Sequence, residues 1–325
     1  MKNILILNAG TRNILVQDFI NTVAGRCEII TTDSFHLAPA IYETDKQYVT
    51  KRWDEAGYWE QIEAICLKEN VGLIISLVDP ELELLSAQHK RFEALGILIN
   101  TSKESIICAA FDKYETMSFI KEHGYKWIPS YIDYAAVERE LLEGKIKFPL
   151  ITKPRRGSGS AGIEVVSDLK RLKNICDENK DILIQEYIHG QEIGADVYVD
   201  LISGEVVSIF TKKKIKMRAG ETDKSVSFKD EKLFDLLVSF SKTFGLRGAN
   251  DIDVFELNGN YYISEVNPRF GGGYVHAYAA GVDFLELLIN NMNGKVNPPN
   301  IGAYEDDLYM MKYFSIKVLK KDLLK

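Results

Sequence analysis

The sequence predicts a mixed fold that is α/β in its N-terminal third and α+β beyond it. Short apolar strands alternate with helical patterns over residues 1–100, which implies a parallel sheet with helices on its faces. The stretch from Gly248 to Arg269 has the β-branched and aromatic flanks of an antiparallel hairpin. The chain has 325 residues, 46% of them hydrophobic and 27% charged. That length and composition suit roughly two or three folded domains.

The elements of the N-terminal part follow from its apolar periodicity. Strands are predicted at Ile4–Leu7, Cys27–Thr31, Leu73–Val78 and Ile97–Ile99, and helices at Asn13–Ala24, Tyr58–Glu69 and Glu81–Ala94. Because each strand is followed by a helix, the strands are expected to run parallel, with helices on the faces of the sheet.

Two places in this part could bind a ligand. The turn from Asn8 to Asn13 follows the first strand but has one glycine where a dinucleotide site needs GxGxxG, and Asp33 alone is a weak ribose acid. We therefore reject a dehydrogenase. The Asp79-Pro80-Glu81 turn lies at a strand's carboxyl end, where open sheets bind ligands. A helix start explains this turn equally well and is the favoured interpretation.

Charge, cysteine usage and hydropathy exclude several classes of protein. The net charge of -7 argues against a nucleic-acid or membrane-surface partner, and the basic run from Lys212 to Lys216 is interpreted as a local patch. The four cysteines form no CxxC pair and the histidines have no metal-ligand spacing, so both are taken as structural. The apolar start ends at Leu7, too early for a signal peptide, and a cytoplasmic location is expected.

A glycine-rich segment follows the middle of the chain. Asp112 with Glu115 predicts a helix start, and Phe148–Pro154 a strand. The segment Arg155–Gly162 then offers small residues and consecutive N–H groups that suit phosphate oxygens. It is no P-loop, because neither Lys-Ser nor Lys-Thr follows Gly162 and the next element is a strand rather than a helix. For this segment, a surface hairpin without a ligand is the alternative. For the polar stretch at Gln185–Glu192, a plain turn is the alternative to a binding site.

The hairpin near the C-terminal end carries the clearest chemical signal. If Asn258, Gly259 and Asn260 all form its loop, Asp253 lies opposite Glu265, and Asn267 shares their face. Two carboxylates and an amide oxygen suit Mg²⁺, which binds through few protein ligands plus substrate phosphates. A two-residue turn instead puts the two acids on opposite faces and makes them ordinary surface residues. The sequence leaves both registers open.

These pieces occur in a fixed order: Lys113, Lys153 with its glycine-rich hairpin, Glu186-Tyr-Ile with Glu192, and Asp253 with Glu265-x-Asn-Pro-Arg269. The order resembles the ATP-grasp superfamily, particularly its carbamoyl-phosphate-synthase-like branch. The resemblance covers nearly the whole chain and implies three parts. These are a Rossmann-like pre-ATP-grasp domain at 1–108, a small ATP-grasp subdomain with a lid at 109–188, and a large subdomain with the metal and substrate site at 189–325.

The resemblance implies an ATP site. Lys113 and Lys153 would contact phosphates, and Glu192 would hold the ribose. The residues of the closing loop and of the adenine pocket would be Arg156, Gly157, Ser158, Gly159, Ser160 and Gly162, and Glu186, Tyr187 and Ile188.

It also implies a metal and catalytic site. Asp253, Glu265 and Asn267 would bind Mg²⁺, or Mn²⁺ in its place, and Arg269 with Lys153 would neutralise the transferred phosphoryl group. Arg218 is a further candidate, for a substrate carboxylate or acyl phosphate. The triple glycine 271–273 suits close backbone approach or a flexible connector. Core packing is favoured for Tyr274, His276 and Tyr278, and the tail Tyr309–Lys325 is expected to pack on this chain or on a partner.

The activity implied is an ATP- and Mg²⁺-dependent ligase that activates a carboxylate as an acyl phosphate for an amine or another nucleophile. A small-molecule kinase, including a carboxylate or carbamate kinase, stays open, as does a nucleotide-binding regulatory protein without turnover. Carbamoyl phosphate synthase has glutamine where this chain has Asp253, so its own reaction is not implied. Small-molecule carboxylates and amines are the expected partners, and a homodimer stays open.

Overall fold

The computed structural model describes residues 1–157 and 162–324, and the N-terminal domain within them is built on a parallel sheet. Its elements are β1 (Asn3–Leu7), α1 (Asn13–Val23), β2 (Ile29–Asp33), a 3₁₀ helix (Pro39–Glu43), β3 (Lys46–Val49), α2 (Tyr58–Lys68), β4 (Val71–Ser76), α3 (Asp79–Ser86), α4 (His89–Glu93) and β5 (Leu98–Ile99). The strand order is β3-β2-β1-β4-β5, and every pair is parallel, as the alternation predicted.

The ends of these elements differ from the prediction in two ways. The helix predicted at Glu81–Ala94 begins earlier, at Asp79, because Pro80 lacks an N–H and suits a first helical turn. It is also divided, since α4 begins anew at His89. Strand β3 was not predicted.

The small subdomain carries a four-stranded antiparallel sheet of order β6-β9-β7-β8. Its elements are α5 (Glu104–Phe111), α6 (Lys113–Glu122), β6 (Ser130–Tyr131), α7 (Tyr134–Leu142), β7 (Leu150–Pro154), β8 (Glu164–Val166), α8 (Leu169–Glu178) and β9 (Ile182–Glu186). The predicted helix start is confirmed, because the Asp112 carboxylate accepts from the N–H groups of Tyr114 and Glu115 at 3.1 and 3.3 Å.

The large subdomain carries a six-stranded antiparallel sheet of order β14-β13-β10-β11-β12-β15. Its elements are β10 (Gln191–Val199), β11 (Val206–Arg218), β12 (Glu221–Ser227), α9 (Glu231–Phe244), β13 (Gly248–Leu257), β14 (Asn260–Asn267), α10 (Tyr274–Ala279), α11 (Phe284–Met292), β15 (Tyr309–Met311) and a 3₁₀ helix (Lys321–Leu323). Across the described ranges, no helix has the length and hydropathy that a membrane crossing requires.

Helix α1 packs the N-terminal domain against the large subdomain. The ring of Phe19 meets that of Phe270 edge-on, with centroids 5.1 Å apart, and Arg26 binds Glu286 of α11 at 2.5 Å. Phe19 and Phe270 belong to one continuous hydrophobic core. This packing fixes the start of α1, and with it Arg12, against the segment that follows β14.

Candidate active site

The turn between β13 and β14 is the two-residue one. Asn258 and Gly259 both have left-handed φ angles, 52° and 72°. An Asn-Gly pair in this conformation matches the right-handed twist of the flanking strands. A regular ladder continued from this turn puts Asp253 and Glu265 on opposite faces of the sheet.

A β-bulge at Ser264 returns Asp253 and Glu265 to the same face of the sheet. Val254 pairs with Ile263, but the next pair is Asp253 with Glu265, which leaves Ser264 as the extra residue. The Ser264 hydroxyl donates to the Asp253 carbonyl at 3.1 Å and stabilises the bulge. The predicted opposition of the two acids is therefore confirmed, whereas the three-residue loop from which it was argued is wrong.

Two more oxygen-bearing side chains extend this face. Asp251 pairs with Asn267, two residues farther from the turn on each strand than the Asp253–Glu265 pair. All four side chains line a cavity of about 970 Å³. Burial, and then the charges of Asp253 and Asp196, raise the pKa of Asp251 to about 7. Asp251 was not predicted as a site residue. The signal was the Asp-Ile-Asp alternation, which puts two acids on one face of a strand.

One lysine of the basic run on β11, Lys214, lines the cavity, which the interpretation of the run as a local patch did not foresee. Lys214 Nζ lies 2.8 Å from Asp253 Oδ1 and 2.7 Å from Glu192 Oε1. Burial lowers the pKa of Lys214, but these two carboxylates outweigh burial and the net shift is upward. Lys212, on the same face, forms a buried ion pair with Asp196. Because side chains alternate between the two faces of a strand, Lys212 and Lys214 both point inward.

Two predicted phosphate-binding lysines line the cavity as well. Lys113 Nζ lies 3.4 Å from Glu265 Oε1 and donates to the Gly157 carbonyl at 2.6 Å. Burial lowers the pKa of Lys153, whereas the charge of Glu265 raises it and the net shift is downward. The two lysines come from different elements, the start of α6 and strand β7, and both line the cavity with Glu265.

The oxygen ligands present suit Mg²⁺. Asp253, Glu265 and Asn267 supply two carboxylates and an amide oxygen on adjacent pairs of one face, and hard oxygen donors are what Mg²⁺ takes. Within residues 1–157 and 162–324, no three His, Cys, Asp or Glu side chains are grouped to hold a metal by themselves. That composition fits an ion that completes its coordination with substrate phosphates and water.

Apolar side chains form part of the cavity lining. Glu186, Tyr187 and Ile188 line the cavity at the end of β9, and Glu192 lines it near the start of β10. The apolar side chains of the lining include those of Ile128, Ile151, Ile163, Val165, Met217 and Phe255. Apolar walls with a few fixed polar groups are typical of a pocket for a flat heterocycle.

The glycine-rich segment is described in part. Gly157 lines the cavity, and Gly162 has a φ of 72° that favours glycine. The predicted loop residues Ser158, Gly159 and Ser160 lie outside the described residues. Arg156, predicted to contact phosphates, is not among the cavity-lining residues, because its guanidinium faces carboxylates elsewhere, 3.6 Å from Asp112 Oδ2 and 3.8 Å from Glu83 Oε1.

Arg269 lines the cavity and is held by the N-terminal domain. Its Nε and Nη2 atoms donate to the two carboxylate oxygens of Asp79, at 2.5 and 3.0 Å. Nη2 also lies 3.3 Å from Asn267 Oδ1, and Nη1 donates to the Phe270 carbonyl at 3.2 Å. The Asp79-Pro80 turn is thus both the helix start that the sequence favoured and a wall of the cavity.

Arg12 and Glu221 close this end of the cavity. Arg12 Nη1 lies 3.2 Å from Glu221 Oε1, and Lys312 Nζ reaches the other oxygen of Glu221 at 2.8 Å. Neither Arg12 nor Glu221 was predicted. Arg12 lies in the turn examined for a dinucleotide fingerprint, and no local motif distinguishes a single arginine there.

Arg218, predicted to contact a substrate carboxylate or an acyl phosphate, is not among the cavity-lining residues. It lies 3.3 Å from Asp223 Oδ2 and stacks over the ring of Phe314 at 4.8 Å, whereas its neighbour Met217 lines the cavity. Successive side chains of a strand point to opposite faces. His276 is core, as favoured: its ring bonds the Ser225 hydroxyl at 2.8 Å and the Leu308 carbonyl at 3.0 Å.

Comparison with known families matches two parts of the chain. Residues 4–100 match the family described as PylC-like, N-terminal domain, and residues 110–273 match the family described as ATP-grasp domain.

Among curated proteins, the carbamoyl phosphate synthase large chain of Clostridium botulinum (strain Loch Maree / Type A3) is 33% identical over 141 residues. The match covers 38% of this chain and 13% of that protein, so the chain spans a small part of the length of such relatives. The D-alanine--D-alanine ligase of Fervidobacterium nodosum is 25% identical over 230 residues, 60% of this chain and 73% of that protein.

Two solved structures illustrate the likeness in fold. The biotin carboxylase domain of Hydrogenobacter thermophilus 2-oxoglutarate carboxylase, crystallised with MgADP, has a TM-score of 0.76 and 18% identity, with 95% of this chain and 73% of that chain covered. N5-carboxyaminoimidazole synthetase from Staphylococcus aureus, crystallised with ADP, has a TM-score of 0.70 and 15% identity, covering 92% and 79%.

Proposed function

The chain belongs to the ATP-grasp family, and on that premise we propose that it is an ATP- and Mg²⁺-dependent ligase. It activates a carboxylate as an acyl phosphate, which an amine or another nucleophile then attacks. The observation that carries the proposal is the meeting of Asp253, Glu265 and Asn267 with Lys113 and Lys153 in one cavity.

Phosphoryl transfer depends on positioning and charge neutralisation more than on covalent help from the protein. Asp253, Glu265 and Asn267 would hold Mg²⁺, which when bound neutralises charge on the phosphates. Lys113 and Lys153 offer point charges to the same phosphates. Arg269, held by Asp79, would steady the phosphoryl group as the substrate carboxylate attacks it, where negative charge develops.

Two parts of the cavity would bind different groups of the substrates. The part lined by Glu186, Tyr187 and Ile188 would bind the adenine. Glu192 would bind the ribose hydroxyls and lose part of its contact with Lys214. The acyl phosphate then forms between the metal face and Arg269, where the glycine-rich segment would exclude water from it.

ADP release in the presence of pooled amino acids and small carboxylates tests this function, with Mg²⁺ present or chelated by EDTA. We expect Mg²⁺-dependent turnover that is lost in Glu265→Ala and in Asn267→Ala. Glu256→Ala is the matched control, because Glu256 lies on the same hairpin and outside the cavity lining. Unchanged ADP release in Glu265→Ala and Asn267→Ala would reject the site.

Hydroxylamine separates the ligase from a kinase that acts on a hydroxyl group. A ligase that forms an acyl phosphate yields an acyl hydroxamate when hydroxylamine replaces the amine. A kinase acting on a hydroxyl group releases a stable phosphorylated product, consumes no amine and gives no hydroxamate. Trapping that depends on Glu265 supports the ligase, and a stable phosphorylated product supports the kinase.

A further inference from the structure

The part of the cavity around Arg269, here called the inner end, carries charges of both signs to which the proposed function assigns no contact with the nucleotide. Arg12 comes from the N-terminal domain, Glu221 from β12, and Asp251 from β13, and all three line the cavity beside Arg269 and Asp79. Their signs alternate, with two guanidiniums among three carboxylates. An alternating set of this kind matches a ligand with both a positive and a negative group.

The triple glycine after β14 makes room for these charges. A Cβ on Gly271 would lie 2.5 Å from the Asp251 carboxyl carbon, and one on Gly272 would lie 2.7 Å from Arg12 Nη1. Asp251 and Arg12 thus pack against two successive residues, whose Cα atoms are about 3.8 Å apart. The two charged groups are therefore within reach of one small molecule.

Their neighbours leave these two groups open. Asp79 and the Phe270 carbonyl occupy three nitrogens of Arg269, so that guanidinium is engaged. The nearest cation to Asp251 in the described chain is Arg269 Nη1 at 3.8 Å, beyond hydrogen-bond length. Arg12 has one ion-pair partner among the described residues, Glu221, through a single nitrogen. Most donors of a guanidinium with five N–H groups are then free.

We propose that the inner end binds an α-amino acid as the attacking nucleophile, with its carboxylate on Arg12 and its ammonium group on Asp251. The proposal rests on the ligase function proposed above. Asp251 lies two residues from Asp253 on the same face, so the amine is directed at the phosphate end of the cavity. Arg12 holds the carboxylate at the far end and keeps it from being phosphorylated.

The chemistry balances without another reactant. The amine nitrogen forms a bond to the acyl carbon, the bond from that carbon to the phosphate oxygen breaks, and phosphate leaves. The ammonium group gives up two protons in all, one to the leaving phosphate and one to water.

The first test is equilibrium binding by calorimetry to the full chain with MgADP present. The probes are glycine and both enantiomers of the nineteen other common α-amino acids, each compared with its decarboxylated amine. We expect at least one amino acid to bind 10-fold or more tightly than its amine, because a carboxylate–guanidinium contact is charge-assisted. Equal binding of amino acid and amine overturns the proposal.

Two variants assign the ends of the ligand. In Arg12→Met we expect the preference for the amino acid over the amine to fall about 10- to 100-fold, with binding of the amine unchanged. In Asp251→Asn we expect both ligands to weaken equally. Arg52→Met and Asp306→Asn are the controls, since each removes one partner of an exposed ion pair away from the cavity. A preference retained in Arg12→Met refutes the assignment.

Turnover distinguishes this proposal from the function beneath it. If hydroxylamine is trapped but amino acids gain nothing over amines, the subsite is wrong and the ligase stands. If amino acids bind through Arg12 but ADP is never released, the ligase is wrong and the subsite stands. If Asp251→Asn abolishes hydroxamate formation and 10-fold more Mg²⁺ restores it, Asp251 is a metal ligand and the subsite is refuted.

Discussion

The contact between Asp79 and Arg269 makes the N-terminal domain part of the catalytic cavity, and Asp79→Ala tests its importance. The two side chains are 12% and 10% exposed and share two hydrogen bonds of 2.5 and 3.0 Å. Removing one partner of a buried ion pair costs about 3–5 kcal/mol. We expect a loss near the lower end, about 3 kcal/mol, because Asn267 and the Phe270 carbonyl still bind the guanidinium.

The effect on catalysis follows from the freed guanidinium. Without Asp79, Arg269 is drawn toward Asp251, 3.8 Å away, and is no longer held where charge develops during phosphoryl transfer. Loss of one preorganised charge of this kind lowers kcat by roughly 100-fold. KM for ATP should change little, since Asp79 lies at the inner end of the cavity. Steady-state ADP release and urea unfolding measure the two effects.

Two further variants make the test specific. Asp54→Ala removes an exposed carboxylate from the same domain, where it pairs with Arg52 at 3.0 Å, and should leave kcat and stability unchanged. Asp79→Asn keeps one acceptor and should give an intermediate kcat. The reasoning is refuted if Asp79→Ala keeps the wild-type kcat, or if its loss of activity matches a general loss of folded protein.

Two other predictions concern charge. Burial lowers the pKa of His276 to about 4, so the unfolded chain takes up that proton first as the pH falls below about 6.5. Stability is fully present above about pH 6.5 and declines toward pH 4, by roughly 2–3 kcal/mol, and urea unfolding of His276→Gln should show a shallower decline than wild type. Lys214→Met removes the cation between Asp253 and Glu192, and KM for MgATP should rise about 10-fold as their repulsion returns. Lys213→Met is its control, since Lys213 neighbours Lys214 on β11 and is not among the cavity-lining residues, and an unchanged KM in both variants contradicts the prediction.

Local sequence was sufficient for most of the elements and for the family. The strand–helix alternation predicted the parallel sheet, and the Asp112 cap predicted the start of α6, because both depend on residues close together in the chain. The order of Lys113, Lys153, Glu186 and the Glu265-x-Asn-Pro-Arg stretch was sufficient to predict an ATP-grasp domain, which the family comparison confirms.

Tertiary structure decided which charges meet. The opposition of Asp253 and Glu265 depends on a bulge at Ser264, and nothing in the local sequence distinguishes a bulged strand from a regular one. Arg12 reaches Glu221 because α1 packs on the core of the large subdomain, more than 200 residues away in the chain. A strand's period tells which side chains share a face, but only the packing of distant elements determines what that face meets.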